Sequence, residues 1–489
     1  MKDSSRRFHA AQMMLANWPQ GGVPVVERAL EQWPLAGFVF HSQDIKSPQW
    51  LRETTGELWV FYKTQGWPSP WFAVTEEGGT VQRFRRWFDA PSAMSLGDLA
   101  APGISYETGL LVGTFLLSCG INWNFAPVVD VLTEKYSHIV GTRSFGDNPS
   151  VVADHAIAWL LGQQAAGVVS TAKHFPGHGM TSRDSHVERP IVDLGKKELL
   201  THLEPFRKTI DAGVQSVMTA HIGYPLFDER PATLSPFWLK HMLRDELGFQ
   251  GVVITDAMSM KSIARHMDPV RAATEAVLAG ADVIDCGGTF DQAIRMCEFL
   301  ASEMNTLAVL ERVRESERRI QALKAHAPDP SQWPSAPIPE RLSAIYGQLT
   351  RRFRSSIPPK ITMTERPVEI WVSGSVPTEV QEEAPKFGTD IVWLNAQDAS
   401  LWGAKLESIN ERAQRETVIL YAENMWKHSK LIDYIQRSLG GKIQIMVAVL
   451  DPVDEEVLPD IPVCIKAYGN RRVARYLVQS IVHQSGGSI

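Results

Sequence analysis

The sequence predicts an α/β protein: a (β/α)8 TIM-like barrel followed by a smaller α/β sheet domain. Three observations point there. A chain of 489 residues exceeds what one hydrophobic core usually organises, so two domains are expected. Short apolar, β-branched runs alternate with helical patterns, which implies parallel strands buried on both faces. Polar residues cluster just after those runs, and barrels gather such residues from many strands at their C-terminal face.

In order, the runs read as strands are Gly37–His41, Trp71–Thr75, Ile121–Val129, Val168–Ala172, Ser216–Ala220, Gly251–Thr255 and Ala281–Asp285, with Gln12–Leu15 as a weaker eighth near the start. Val151–Ala166 and Phe237–Leu247 read as helices between them. An open doubly wound sheet competes with the barrel. The barrel is preferred because Glu76–Glu77, Asp130, Lys173–His174, His221 and Asp256 all follow strands. A helix over Leu307–Lys324 runs into a proline-rich stretch that cannot continue it. The barrel is therefore expected over residues 1–327 and a linker with one helical segment (Arg341–Phe353) over 328–366. In 367–489 the pattern restarts with Val368–Val372, Asp390–Leu394, Thr417–Tyr421, Ile443–Leu450 and Val463–Ala467, a parallel sheet of about five strands.

The composition is 44% hydrophobic and 21% charged, with a net charge of −6, which argues against a nucleic-acid partner. No apolar run reaches the roughly 18 residues of a membrane span. The N-terminal stretch has a basic start but no continuous apolar segment of signal length. Cys119, Cys286, Cys297 and Cys464 are scattered, which suits packed thiols in a reducing compartment; a cytoplasmic location is expected.

The densest group of reactive side chains is Lys173-His174-Phe-Pro-Gly177-His178-Gly179, followed by Asp184-Ser-His186. Zinc is one reading, since His174 and His178 are four apart, but Pro176 and Gly177 between them oppose the helix such a pair needs. No metal is expected. Asp184 and His186 suit a different role: two apart in an extended loop, the carboxylate can orient an imidazole whose pKa near 6.5 suits proton transfer. Asp256 ends the apolar strand Gly251–Thr255; there it is either an N-cap for the next segment or a carboxylate at the barrel mouth. Arg83, after the paired glycines Gly78-Gly79, and Arg143, in Gly-Thr-Arg-Ser-Phe-Gly, are loop arginines suited to hydrogen-bonding sugar hydroxyls.

These residues lie within stretches that together resemble the β-N-acetylglucosaminidase branch of glycoside hydrolase family 3: EEGGTVQRF, INWNFAPVVD, GTRSFGDNP, KHFPGHG with DSH, PATLSPFWL, LGFQGVVITDAMSM and RRIQALK. The likeness spans roughly Trp71 to Lys324 and is less distinct beyond. It implies a retaining double displacement with Asp256 as nucleophile and His186, paired with Asp184, as acid/base. It also implies that Lys173, His174, Arg83 and Arg143 grip the terminal sugar, that Gly177 and Gly179 allow a loop to close, and that no cofactor is needed. One departure stands out. The family pattern has Asp-Gln before its Glu-Gly-Gly, whereas this chain has Thr75-Glu76. A charged acceptor for sugar hydroxyls is thereby lost, at about 1.5–3 kcal/mol, and Glu76 is the candidate to compensate.

The expected partner is a small carbohydrate ending in non-reducing β-linked N-acetylglucosamine, from muropeptides or chitin fragments, with oligomeric state open. Phosphorolysis competes, because a histidine acid/base does not repel incoming phosphate. A non-catalytic sugar-binding protein is a further alternative, supported by Thr75 alone. Substrate-assisted chemistry at Asp228-Glu229 or Asp245-Glu246 is disfavoured, because both pairs lie away from the predicted strand ends.

Overall fold

The computed structural model describes residues 3–134, 137, 139–181, 190–192, 195–325 and 327–335, positions 341, 344, 345 and 348, and the backbone of five strands between 368 and 466. The chain divides into two compact units, Met1–Leu342 and Ser343–Ile489.

The first unit is built on β1 (Met14–Asn17), β2 (Gly37–Val39), β3 (Trp71–Val74), β4 (Trp123–Asn124), β5 (Val169–Phe175), β6 (Ser216–Thr219), β7 (Gly223–Tyr224), β8 (Asp228–Pro231), β9 (Val252–Ile254) and β10 (Ile284–Asp285). Eight of these form one parallel sheet in the order β10-β1-β2-β3-β4-β5-β6-β9, and β7 pairs antiparallel with β8 as a separate hairpin. A parallel bridge from Ile254 to Val283 joins the two ends, closing the ring into the expected barrel. Helices such as Pro48–Thr64, Pro102–Ser118, Pro149–Ala165 and Lys196–Asp211 connect consecutive strands. Among the described residues no helix is long and apolar enough to cross a membrane.

Several strands differ from the sequence reading for local reasons. The first is Met14–Asn17, not Gln12–Leu15, because the N–H groups of Gln12 and Met13 are taken by the Phe8 and Ala10 carbonyls at 3.0 and 3.2 Å, at the end of the helix Asp3–Ala11. The run Ile121–Val129 pairs as a strand only at Trp123–Asn124. Pro127 has no N–H to give, and the Asn122 side chain accepts the Phe72 N–H at 2.8 Å. The strand expected to stop at Ala172 continues to Phe175, so Lys173 and His174 belong to the barrel wall rather than to the following loop. The helix expected over Phe237–Leu247 is a ten-residue π-helix, closed by Leu247 N–H on the Met242 carbonyl at 2.9 Å. The Leu307–Lys324 helix forms as expected.

A buried carboxylate locks the seam. Asp282 accepts from Arg244 at 2.6 Å, Arg312 at 2.6 Å and Arg319 at 3.1 Å, and from the Val253 N–H at 2.9 Å. It thereby ties the π-helix and the Leu307–Lys324 helix to β9. Burial opposes its charge, but the three guanidiniums hold it below the usual carboxylate range. Trp71 and Trp123, both fully buried, meet edge-on at 5.1 Å beside one another in the wall.

The second unit contains β11 (Val368–Ser373), β12 (Asp390–Asn395), β13 (Val418–Ala422), β14 (Ile445–Val449) and β15 (Val463–Lys466), in the order β12-β11-β13-β14-β15. Every pairing is parallel.

Candidate active site

The turn after β3 delivers the site's first carboxylate. Gly78 sits at φ +89°, and a Cβ there would lie 2.2 Å from the Pro91 carbonyl oxygen, so only glycine fits. The turn points Glu77 inward, where Oε2 accepts from Arg143 Nε at 2.7 Å and Oε1 accepts from Lys173 Nζ at 2.6 Å and Arg143 Nη2 at 2.8 Å. Burial opposes charge on Glu77, but the two cations overcome it and hold the carboxyl far below its ordinary range. Burial works to lower Arg143, but the same pairing raises it, while burial and the neighbouring Arg143 lower Lys173 despite Glu77. Two cations contributed by strand β5 and a distant loop are thus fixed by one buried anion. A bulge in β5, where its register against β6 shifts between Ala172 and Phe175, re-aims this part of the strand.

Asp130 organises the histidines. Its Oδ1 accepts the backbone N–H of His174 at 3.1 Å and of His178 at 2.7 Å, and its Oδ2 takes His174 Nδ1 at 2.8 Å. Burial is outweighed by these contacts, and Asp130 stays ionised, below its usual value. The proton of His174 is therefore assigned to Nδ1, leaving Nε2 as the acceptor 3.4 Å from Arg143 Nη2. His178 is buried to the point that its pKa falls to about 4, so it is neutral and hydrogen-bonded to Thr181 Oγ1 at 2.6 Å. Gly179 is closely packed: a Cβ there would lie 1.9 Å from the Val131 carbonyl, and the nearby Thr133 and Glu134 N–H groups donate to the Gly179 oxygen. Gly177, at φ +136°, is pinned by the Tyr224 hydroxyl donating to its carbonyl at 2.5 Å.

Asp256 follows β9 at the C-terminal face, partly exposed, with Ala257 N–H donating to Oδ1 at 2.8 Å. Burial works to raise its pKa, yet His221, His174, the Ala257 N–H and Lys173 lower it below the ordinary value, so it is a carboxylate at neutral pH. His221, at the end of β6, is itself set by Thr233 Oγ1 at 2.8 Å on Nδ1 and by the Ala257 carbonyl at 3.1 Å on Nε2. An ionised, accessible carboxylate among imidazoles and a lysine is suited to attack an electrophilic carbon.

Thr75 is partly exposed at the end of β3. Glu76, the expected compensator, is bonded into the turn after β3 through one of its two oxygens. It is fully buried and accepts the backbone N–H groups of Arg83 at 2.5 Å and Phe84 at 3.2 Å. Burial pushes it up to about 8 against those bonds and the charges of Arg83 and Arg85, so it is a neutral acid that shapes the turn. Its Oε2 is thereby spent on the turn, while Oε1 is buried without a hydrogen-bond partner. Arg83 leaves the turn with its Nε buried and without a hydrogen-bond partner.

Asp184 and His186 lie outside the described residues. The structure brings together Asp256, Lys173, His174 and Arg143, all read from the sequence. It adds Glu77, Asp130 and His221, which were visible as polar residues at strand ends but not assigned a role there. The pair Asp228-Glu229 sits on the β7–β8 hairpin, where Asp228 is engaged by Arg230 at 2.8 Å. Among the described residues no group of three or more His, Cys, Asp or Glu is arranged to hold a metal ion.

Residues 26–323 match the family model of the glycosyl hydrolase family 3 N-terminal domain. A beta-hexosaminidase of Alkalilimnicola ehrlichii is 35% identical over 267 residues, 53% of this chain and 75% of the relative. One of Thioalkalivibrio sulfidiphilus is 33% identical over 301 residues, 60% and 85% of the two chains. The structure of a glycoside hydrolase family 3 beta-N-acetylglucosaminidase from Paenibacillus sp. str. FPU-7 matches with a TM-score of 0.85 over 98% of this chain and 96% of that one, at 24% identity, which is a likeness of fold. With the family model over most of the barrel, and Asp256, basic groups and the Asp130–His174 pair gathered at its C-terminal face, this chain belongs to glycosyl hydrolase family 3 and is a glycoside hydrolase.

Proposed function

We propose that the protein is a retaining exo-β-N-acetylglucosaminidase that removes terminal, non-reducing β-linked N-acetylglucosamine from small muropeptide or chitin fragments in the cytoplasm. The supporting observation is Asp256: ionised, partly exposed, at a strand end and flanked by His174, His221 and Lys173. In this reading Asp256 attacks the anomeric carbon while His186, oriented by Asp184, protonates the leaving oxygen. Water then attacks the glycosyl-enzyme with His186 as base. Lys173, Arg143, His174 and Arg83 hold the sugar. Glu77 and Asp130 fix the first three, so little reorganisation is needed when substrate arrives. The division into a catalytic barrel (1–327), a linker (328–366) and a sheet domain (367–489) belongs to the same proposal.

The test is product analysis on a nitrophenyl β-N-acetylglucosaminide, whose only sugar product is the transferred residue, by proton NMR with and without inorganic phosphate. First-formed β-N-acetylglucosamine at a rate indifferent to phosphate is expected. First-formed α anomer would overturn retention, and a sugar 1-phosphate would make the enzyme a phosphorylase.

A further inference from the structure

Asp285 ends β10, the strand that closes the ring beside β9, and the catalytic reading makes no use of it. The segment carrying Asp256 is clamped against it. Thr255 N–H donates to the Val283 carbonyl at 3.1 Å, Asp285 N–H to Thr255 Oγ1 at 3.1 Å, and Met258 N–H to the Asp285 carbonyl at 2.9 Å. Neighbouring strands run about 4.8 Å apart, so two carboxyl groups share one sector of the barrel mouth. Asp285 is 7% exposed. Its Oδ1 accepts the Gly287 N–H at 3.1 Å, a bond that needs Gly287 at φ +56°, where a Cβ would lie 2.3 Å from Ser259 Oγ. Among the described residues no cation forms an ion pair with it. Lys173 is near enough to lower its pKa but is bonded to Glu77. On its other side β1 offers apolar Leu15, in register with Asp285, and the residue that follows Asp285 is the buried thiol Cys286.

We propose that Asp285 is a positioning residue for Asp256, protonated while Asp256 is a carboxylate and ionised while Asp256 is esterified to the sugar. Two adjacent carboxyls with one good set of donors do not both ionise freely, and the poorly solvated one keeps the proton. Burial, then the charge of Asp256, push Asp285 up to about 7. The inference rests on the glycosidase reading. In its first half-reaction an Asp256 oxygen bonds to the anomeric carbon as the bond to the leaving oxygen breaks, and that oxygen takes the proton of the acid/base. Asp256 becomes a neutral ester, the like charge vanishes, and Asp285 yields its proton to solvent. In the second, water bonds to the anomeric carbon, the ester bond breaks and the water proton passes to the acid/base. Asp256 is again a carboxylate, and Asp285 takes a proton back from solvent. An anion beside the anomeric carbon is thus present as the second transition state gathers positive charge, which speeds release of the sugar from the enzyme.

The experiment has two arms on the full chain. In the first, carbon-13 labelled aspartate is titrated by NMR. A carboxyl with a near-neutral midpoint should be present in the wild type, absent in Asp285→Asn, and lower by about one pH unit or more in Asp256→Asn, where the neighbouring charge is gone. No such carboxyl, or one unmoved in Asp256→Asn, overturns the pairing. In the second, a dinitrophenyl β-N-acetylglucosaminide, whose leaving group needs no acid, is hydrolysed by wild type and Asp285→Asn. The asparagine retains an acceptor for Gly287, and kcat and KM should fall together, about tenfold each, with a burst of dinitrophenol and kcat/KM changed less than about threefold. A kcat/KM that falls as far as kcat, with no burst, overturns the role in release. If folded wild type releases no dinitrophenol, the glycosidase reading fails and the release step with it, while the titration still decides whether Asp285 follows the charge of Asp256.

Discussion

Replacing Glu77 by glutamine tests the electrostatic centre of the site. Glu77, Lys173 and Arg143 are 4%, 3% and 14% exposed at their side chains, so this is a buried ion cluster and not a screened surface pair. The substitution keeps the shape, removes the anion and confronts two desolvated cations with an amide that can accept but not neutralise. Removing one partner of a buried pair costs about 3–5 kcal/mol, and that is the expected loss in the urea unfolding free energy at pH 7. The pH dependence has a definite sign. Glutamate in the unfolded chain titrates near 4.3, and folding lowers Glu77 well beneath that. Its stabilisation is therefore complete above the unfolded value and is lost only as pH falls through the folded one. The gap between wild type and Glu77→Gln should stay constant from about pH 8 to 5.5 and narrow below about 4.3. A gap under about 1 kcal/mol at pH 7, or one that shrinks between pH 8 and 6, would refute the argument that Glu77 is the ionised anchor of both cations.

Three other outcomes are expected. Asp130→Asn places an amide against His174 Nδ1, now 2.8 Å from a carboxylate oxygen. Loss of that charged bond, about 1.5–3 kcal/mol, should lower kcat/KM on an aryl glycoside by roughly 10- to 150-fold, with little change in secondary structure by circular dichroism. Gly179→Ala forces a Cβ to within 1.9 Å of the Val131 carbonyl, so activity should drop sharply and the melting temperature should fall; wild-type values of both would contradict the packing role of Gly179. Thr75→Asp restores a charged acceptor at the end of β3 and should lower KM for N-acetylglucosaminides by about tenfold or more, read from initial rates; an unchanged or higher KM would remove Thr75 from the sugar contacts.

The barrel was legible because its strands are short apolar runs ending in polar residues, a pattern that survives without knowledge of pairing. Asp256, Lys173 and His174 followed from it directly. Their partners did not. Asp130 lies 44 residues from His174, and nothing local to either marks the bond between them. Glu77 stands beside Glu76 in sequence, yet one is a paired anion and the other a buried neutral acid; only the turn geometry at Gly78 separates them. Asp285 closes an apolar run as Asp256 does, but its meaning depends on β10 lying next to β9, which is a fact of ring closure. Strand ends moved where other hydrogen bonds replaced strand pairing, as at Asn122, whose side chain takes the Phe72 N–H, and at Gln12, whose N–H goes to Phe8.

The most direct test of the central claim is nitrophenol release from the aryl β-N-acetylglucosaminide, beside the β-glucoside, by wild type and Asp256→Ala. Turnover of the first substrate by wild type, reduced at least about a thousandfold in the variant, is the predicted result. Equal turnover by folded Asp256→Ala would contradict the assignment of the nucleophile, and turnover of the glucoside alone would contradict the substrate.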